Sequence, residues 1–210
     1  MKKLYTVALL FCALALLLPA FAPATQAAFA PDGTAAAAAA GASIGAVVEE
    51  FKLPDADGKK HALSALKGKN GAVLIFISVQ CPVSNAYNER MEKLAEDYRA
   101  RGVNVIGINS NVAETPEAIK QHAKEKGFTF KVLKDAGNKL ADRLDAQVTP
   151  EAYFLDTSNK LVYRGRIDNS RNGDAISANE LRDAIDATLA GKPVAKAEAR
   201  AFGCSIKRAS

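Results

Sequence analysis

The run Ala72-Val73-Leu74-Ile75-Phe76-Ile77-Ser78 constrains this chain more than any other segment. It is apolar on both alternations, so as a strand it must be covered on both faces. Covering both faces of a sheet takes helices on each side, which points to an α/β architecture. Directly after the run, Cys81-Pro82-Val83-Ser84 reads as the first turn of a helix, with Pro at the first helical position. A thiol placed where a buried strand meets a helix start has its thiolate favoured by free backbone N–H groups and by the helix dipole. An ordinary thiol, with a pKa of about 8.5, is only a few per cent ionised at neutral pH, so such a shift creates a nucleophile. The competing reading is a buried cysteine acting as a small hydrophobe.

The N-terminus sets the compartment. Met1-Lys2-Lys3 is followed by a Leu/Ala-rich stretch from Val7 to Phe21 and then by the small residues Ala24-Thr25-Gln26-Ala27-Ala28. Positive flank, short apolar core and small-residue exit describe a cleavable secretory signal over 1–27, too short for a membrane span, and a periplasmic or otherwise exported product. Cys12 lies inside the apolar core and leaves with the signal. Two cysteines remain, Cys81 and Cys204, in a compartment where disulfides persist. Removing Lys2 and Lys3 takes the formal charge from +5 to +3, with no basic cluster, which argues against nucleic-acid binding.

Residues 28–46 are Ala/Gly-rich and read as a flexible linker. One domain is expected over 47–192, long enough for a proper core, followed by a tail over 193–210 that carries Cys204. A short strand after Glu50 ends in an Asp/Gly turn at Asp55–Gly58, and the stripe Tyr87, Met91, Leu94, Tyr98 marks a helix from Pro82 to Arg101. Val103–Asn109 is a second buried strand. Thr115-Pro116 opens a helix that Gly127 closes. Phe128–Leu133 reads as a strand and Lys139–Leu144 as a short helix. Glu151–Asp156 and Leu161–Arg166 read as a hairpin. Ser177-Ala178-Asn179-Glu180 has the spacing of a capping box for the last helix. The closing hairpin makes the sheet mixed rather than purely parallel.

A strand ending in Cys81-Pro82, Val148-Thr149-Pro150 before a later strand, and a hairpin with Gly165 followed by a helix together resemble the thioredoxin-like superfamily. The stretch Glu50–Gly68 with Cys81-Pro82 resembles its redoxin branch. Cys81–Tyr87, Gly107–Asn111 and Tyr163–Asp168, with Gly203-Cys204-Ser205-Ile206-Lys207, resemble peroxiredoxin-like redoxins of the alkyl hydroperoxide reductase/thiol-specific antioxidant type. The resemblance implies that Cys81 is the attacking cysteine. It implies that Pro150 is a cis-proline facing it, and that Thr149 offers its backbone to an incoming peptide or peroxide. Arg166 would bring a guanidinium near Cys81 to hold the thiolate. Ser78, Pro82, Ser84, Thr149 and Pro150 form the implied substrate-binding surround. The implied partners are a peroxide or protein disulfide and a thiol reductant.

Departures from the family patterns matter equally. Ser84 replaces the second cysteine of Cys-x-x-Cys, so Cys81 has no neighbouring thiol. Ser78 stands where peroxiredoxins carry an oxygen-binding hydroxyl, but Leu74 replaces their proline. Asn85 takes the second cysteine position of copper-delivery relatives, and His61 and His122 sit apart, so neither a metal site nor a cofactor is expected. The extended tail can reach Cys81, which makes Cys204 a candidate resolving thiol; a structural bridge, an intermolecular bridge and an unpaired Cys204 stay open. The leading expectation is an exported thiol oxidoreductase. Its rivals are a non-catalytic thioredoxin-fold binding module and a metal- or haem-handling assembly factor.

Overall fold

The structure is a computed structural model that describes residues 42–208; the expected signal peptide and residues 28–41 of the expected linker lie outside the described residues. In chain order the elements are β1 (Lys52–Pro54), β2 (Lys60–Ala62), α1 (Leu63–Leu66), β3 (Gly71–Phe76), α2 (Pro82–Ala86), α3 (Asn88–Arg99), β4 (Val103–Asn109) and α4 (Pro116–Glu125). Then come β5 (Lys131–Lys134), α5 (Lys139–Leu144), β6 (Val148–Thr149), β7 (Glu151–Leu155), β8 (Leu161–Gly165), α6 (Glu180–Leu189), β9 (Glu198–Ala199) and β10 (Cys204–Ser205).

The central sheet has the order β5-β4-β3-β7-β8-β9, with β3, β4 and β5 parallel and β7 antiparallel to β3. It is the mixed α/β sheet expected. Every residue of β3 is buried, and its alternation divides two cores. Val73 and Ile75 face a cluster with Met91, Leu94, Tyr98, Leu181 and Ile185 from α3 and α6. Leu74 and Phe76 face Ile106, Leu133, Leu140, Leu144 and Tyr153 on the other side. Each such side chain is stabilised by about 1.5–3 kcal/mol on leaving water, so a register slip of one residue would cost far more than any loop could recover.

Three expectations need correction. The helix from Pro82 to Arg101 is two helices that meet at Tyr87, where the backbone stands at φ −98°, ψ −4° and the N–H tightens onto Ser84 O at 3.0 Å, three residues back. Tyr87 is thereby buried, with the Arg90 guanidinium 3.4 Å above its ring and its hydroxyl on Asp168. The capping box before α6 does not form. Asn179 is the N-cap without a side-chain bond, and Glu180 turns instead to an arginine partner. The strand expected from Phe128 begins at Lys131, since the Phe128 and Phe130 rings stack on each other at 4.5 Å as the chain approaches the sheet edge.

The segment beyond 192 is built into the fold. β9 adds to β8 in parallel, and β10 pairs with β6 in antiparallel. Gly165 makes the first contact possible: at φ +138°, a Cβ there would lie 1.8 Å from Ala199 O. Ala42 and Ile44, from the expected linker, also pack against the core, and Gly45 N–H bonds Leu161 O at 2.8 Å.

Candidate functional site

β3 delivers the chain to a tight loop, residues 77–81, and Cys81 is the N-cap of α2. Its sulfur accepts the Ser84 N–H at 3.3 Å, and its S–H points to the Thr149 carbonyl at 3.3 Å. Since α2 has five residues, the stabilisation is a local N–H bond rather than the field of a long helix. Thr149 stands beside Cys81 because β6 runs into Pro150, and the Thr149–Pro150 peptide bond is cis.

The second thiol arrives on β10. Cys204 is in register with Thr149, and both cysteines are free and line one cavity of about 250 Å³ with Ser78, Gln80, Glu114 and Lys207. Burial is the largest influence on Cys81 and pushes its pKa up. The hydrogen bond from the Cys204 side chain and the Ser84 N–H outweigh it, so the Cys81 thiol ends below the usual thiol range. Cys204 moves the other way, raised first by the hydrogen bond it gives to Cys81 and then by burial. Of the two, Cys81 loses its proton first. That is the division of labour an attacking and a resolving cysteine need.

The loop carrying Cys81 is pinned from beneath. Ser78 Oγ accepts the Cys81 N–H at 3.0 Å and the Gln80 N–H at 3.2 Å, and donates to Glu114 Oε1 at 2.5 Å. Glu114, 3% exposed, also accepts Gln80 N–H at 3.1 Å, Val79 N–H at 3.0 Å and the Asn109 amide. Lys134 Nζ closes the network on the Glu114 carbonyl at 2.9 Å and Asn109 Oδ1 at 3.1 Å. Ser84 Oγ takes the Ser78 N–H at 3.1 Å. Ser78 and Ser84 are therefore committed to the loop backbone as well as bordering the thiol, while Pro82 starts α2 on the exposed side.

Arg166 is not where the resemblance implied. Its Nε and Nη2 both go to Glu180 Oε1, because a carboxylate only 5% exposed requires a cation and Arg166 supplies it, with Lys196 as a second donor. Asp168 is held by Arg90 at 2.7 Å and by the Tyr87 hydroxyl at 3.1 Å. The cation among the residues lining the cavity is Lys207. Glu114, Asn109 and Lys134 escaped the sequence reading. Glu114 stands one residue before the N-cap Thr115, where an acidic residue reads as a solvated helix-start charge.

Residues 44–164 match the model of the AhpC/TSA family. The chain belongs to that family. Among relatives of this AhpC/TSA protein, a thiol-disulfide oxidoreductase ResA from Bacillus thuringiensis (strain Al Hakam) is 30% identical over 119 residues, covering 57% of this chain and 67% of the relative. A ResA from Geobacillus thermodenitrificans is 26% identical over 161 residues, covering 77% and 87%. The crystal structure of a hypothetical protein from Sinorhizobium meliloti 1021 superposes with a TM-score of 0.75 at 35% identity, covering 80% of this chain and 96% of that one. Peroxidoxin BcpB from Mycobacterium tuberculosis shares the fold, with a TM-score of 0.58 at 21% identity over 71% of this chain and 97% of that one. The protein is a thioredoxin-like redoxin, and its relatives place it among thiol oxidoreductases.

Proposed function

We propose that the protein is an exported thiol oxidoreductase in which Cys81 attacks an oxidised substrate and Cys204 resolves the product. One observation carries this reading: the lower-pKa thiol and the higher-pKa thiol share one cavity, brought together by the pairing of Cys204 with Thr149. With a hydroperoxide, the Cys81 thiolate attacks one oxygen and the O–O bond breaks. Cys81 becomes a sulfenic acid, and the alkoxide or hydroxide leaves with a proton. The Cys204 sulfur then attacks the Cys81 sulfur, the S–S bond forms and water departs. With a disulfide substrate, Cys81 attacks one sulfur and releases the other as a thiol. Cys204 then displaces the second half from the mixed disulfide. In both cases an external dithiol reduces the Cys81–Cys204 bridge by two exchange steps.

The Ser84 N–H stays on the sulfur throughout the attack, and the Ser78–Glu114 pins hold the loop in place, so little reorganisation accompanies loss of the proton. The signal-like first residues support export. The test is a count of free thiols after exposure to a slight excess of hydrogen peroxide, or of bis(2-hydroxyethyl) disulfide, near pH 7. Wild type should lose both thiols without trapping a sulfenic acid. Cys204→Ser should lose one, giving a dimedone-reactive sulfenic acid with peroxide and a stable mixed disulfide with the disulfide. A Cys81 that stays reduced with both reagents contradicts the proposal.

A further inference from the structure

A sheet edge beside a nucleophile is where an extended polypeptide can dock, gaining affinity from backbone hydrogen bonds. In this fold the edge beside Cys81 is β6, and the chain's own C-terminal segment already fills it. Cys204 pairs with Thr149 and Ser205 with Val148, and the Ile206 N–H continues the ladder to Gln147 O at 3.0 Å. Resting on the redox reading above, we infer that residues 203–206 are a specificity element. They occupy the polypeptide-docking edge, so that wild-type Cys81 reacts with small oxidants that enter the cavity and excludes extended peptide disulfides.

The fit of the segment argues for this role. Gly203 passes so close to the edge that a Cβ on it would lie 1.9 Å from Thr149 O and 2.6 Å from the carbonyl carbon. No residue with a side chain can take that path without lifting the strand. Ile206 is 4% exposed and joins the core of α5 and β7. Lys207 N–H bonds Asn111 Oδ1 at 2.7 Å, and its carbonyl accepts the Val112 N–H at 3.0 Å. Arg208 reaches Asp142 at 2.8 Å and the Ala146 carbonyl at 2.7 Å. Upstream, the Phe202 ring lies 6.4 Å from Tyr87, and the Arg166 N–H bonds Ala199 O at 3.1 Å. The strand is thus fastened on both sides of Cys204, and an incoming polypeptide would have to displace all of it.

What remains open beside the sulfur is the cavity of about 250 Å³. A hydroperoxide or a short organic disulfide fits a space of that size, whereas pockets for drug-sized ligands measure about 300–1,000 Å³ and a peptide strand needs an open edge besides. The cysteine that a bound peptide would present opposite Thr149 is supplied by the chain itself as Cys204.

The experiment compares two disulfides with the same leaving group on proteins with one reactive thiol. The small probe is bis(2-hydroxyethyl) disulfide. The extended probe is a peptide of roughly ten residues whose central cysteine is capped with 2-mercaptoethanol. The parent is Cys204→Ser in the chain from residue 28 to 210, which leaves out Cys12; the tests are the same protein with Gly203→Ala added, and a version ending at Arg200. The readout is the ratio of the peptide rate to the small-disulfide rate on each protein, which cancels changes in the intrinsic reactivity of Cys81. A rise of about tenfold or more in this ratio in either variant is expected from freeing the edge. A ratio within about twofold of the parent in both variants overturns the inference. A parent that reacts with neither disulfide would instead sink the redox reading itself, a result distinct from equal ratios.

Discussion

Replacing Glu114 by Gln tests the buried support beneath the site. The carboxylate accepts four hydrogen bonds: Ser78 Oγ–H and Gln80 N–H on Oε1, Val79 N–H and the Asn109 amide on Oε2. Glutamine keeps the shape but turns one oxygen into an NH₂ aimed at two donors. With the NH₂ toward Ser78, it faces a hydroxyl oxygen that already accepts the Cys81 and Gln80 N–H groups and has no lone pair left for it, so the Ser78 hydroxyl loses its acceptor and Gln80 N–H keeps only Ser78 Oγ at 3.2 Å. Bonds to a charged acceptor contribute about 1.5–3 kcal/mol each against about 1 for neutral ones, so four weakened bonds cost about 4 kcal/mol. Relief of the buried charge returns part of this, for a net loss of about 2–3 kcal/mol. At about 2–4 °C per kcal/mol for a domain of this size, the melting temperature should fall by roughly 5–10 °C. Differential scanning calorimetry of the reduced protein measures it. A drop of under about 2 °C would mean that the carboxylate does not carry the loop, and the account of how Cys81 is held would be wrong.

Other outcomes follow from the same contacts. The pH profile of Cys81 alkylation should rise through a midpoint below that of an ordinary thiol, since its pKa is lowered, and Cys204→Ala should move the midpoint upward by removing a hydrogen bond to the thiolate. Arg166→Ala should destabilise the fold by about 1–3 kcal/mol, because it leaves Glu180 with only the more exposed Lys196, yet leave Cys81 alkylation unchanged; loss of thiol reactivity would return Arg166 to the site. The Glu180 carboxyl is pushed up by burial but held lower overall by Arg166. Its contribution to stability is therefore full above the ordinary carboxylate range and lost as pH falls through its lowered value, visible as a steeper acid loss in wild type than in Glu180→Gln. Arg90→Ala strands buried Asp168 and should lower urea stability by about 2–4 kcal/mol, a loss that Asp168→Asn in the same background should partly restore.

Local periodicity made the scaffold legible. The two-faced apolar run became the buried β3, and Cys81-Pro82 became an N-cap followed by Pro at the first helical position, because both signals depend on adjacent residues. Thr149 and Pro150 could be placed against Cys81 only through the family resemblance, since 68 residues separate the sulfur from its carbonyl partner. What escaped depended on long-range pairing of charges. Arg166 sits at the end of a hairpin whichever way it points, and only the packing of α6 reveals that Glu180 claims it. Glu114 is buried because the loop after β3 folds over it. The tail looked like a free segment because its strands are two residues long, too short for any alternation to declare itself.

The central claim is that Cys81 and Cys204 form one redox pair within a single chain. Tryptic mapping under non-reducing conditions, before and after one equivalent of hydrogen peroxide, tests it directly. The account predicts that peptides 70–90 and 201–207 run separately with free thiols beforehand and appear joined by a disulfide afterwards, within monomeric protein. Oxidation that leaves the two peptides unlinked, or links them only between chains, would contradict it.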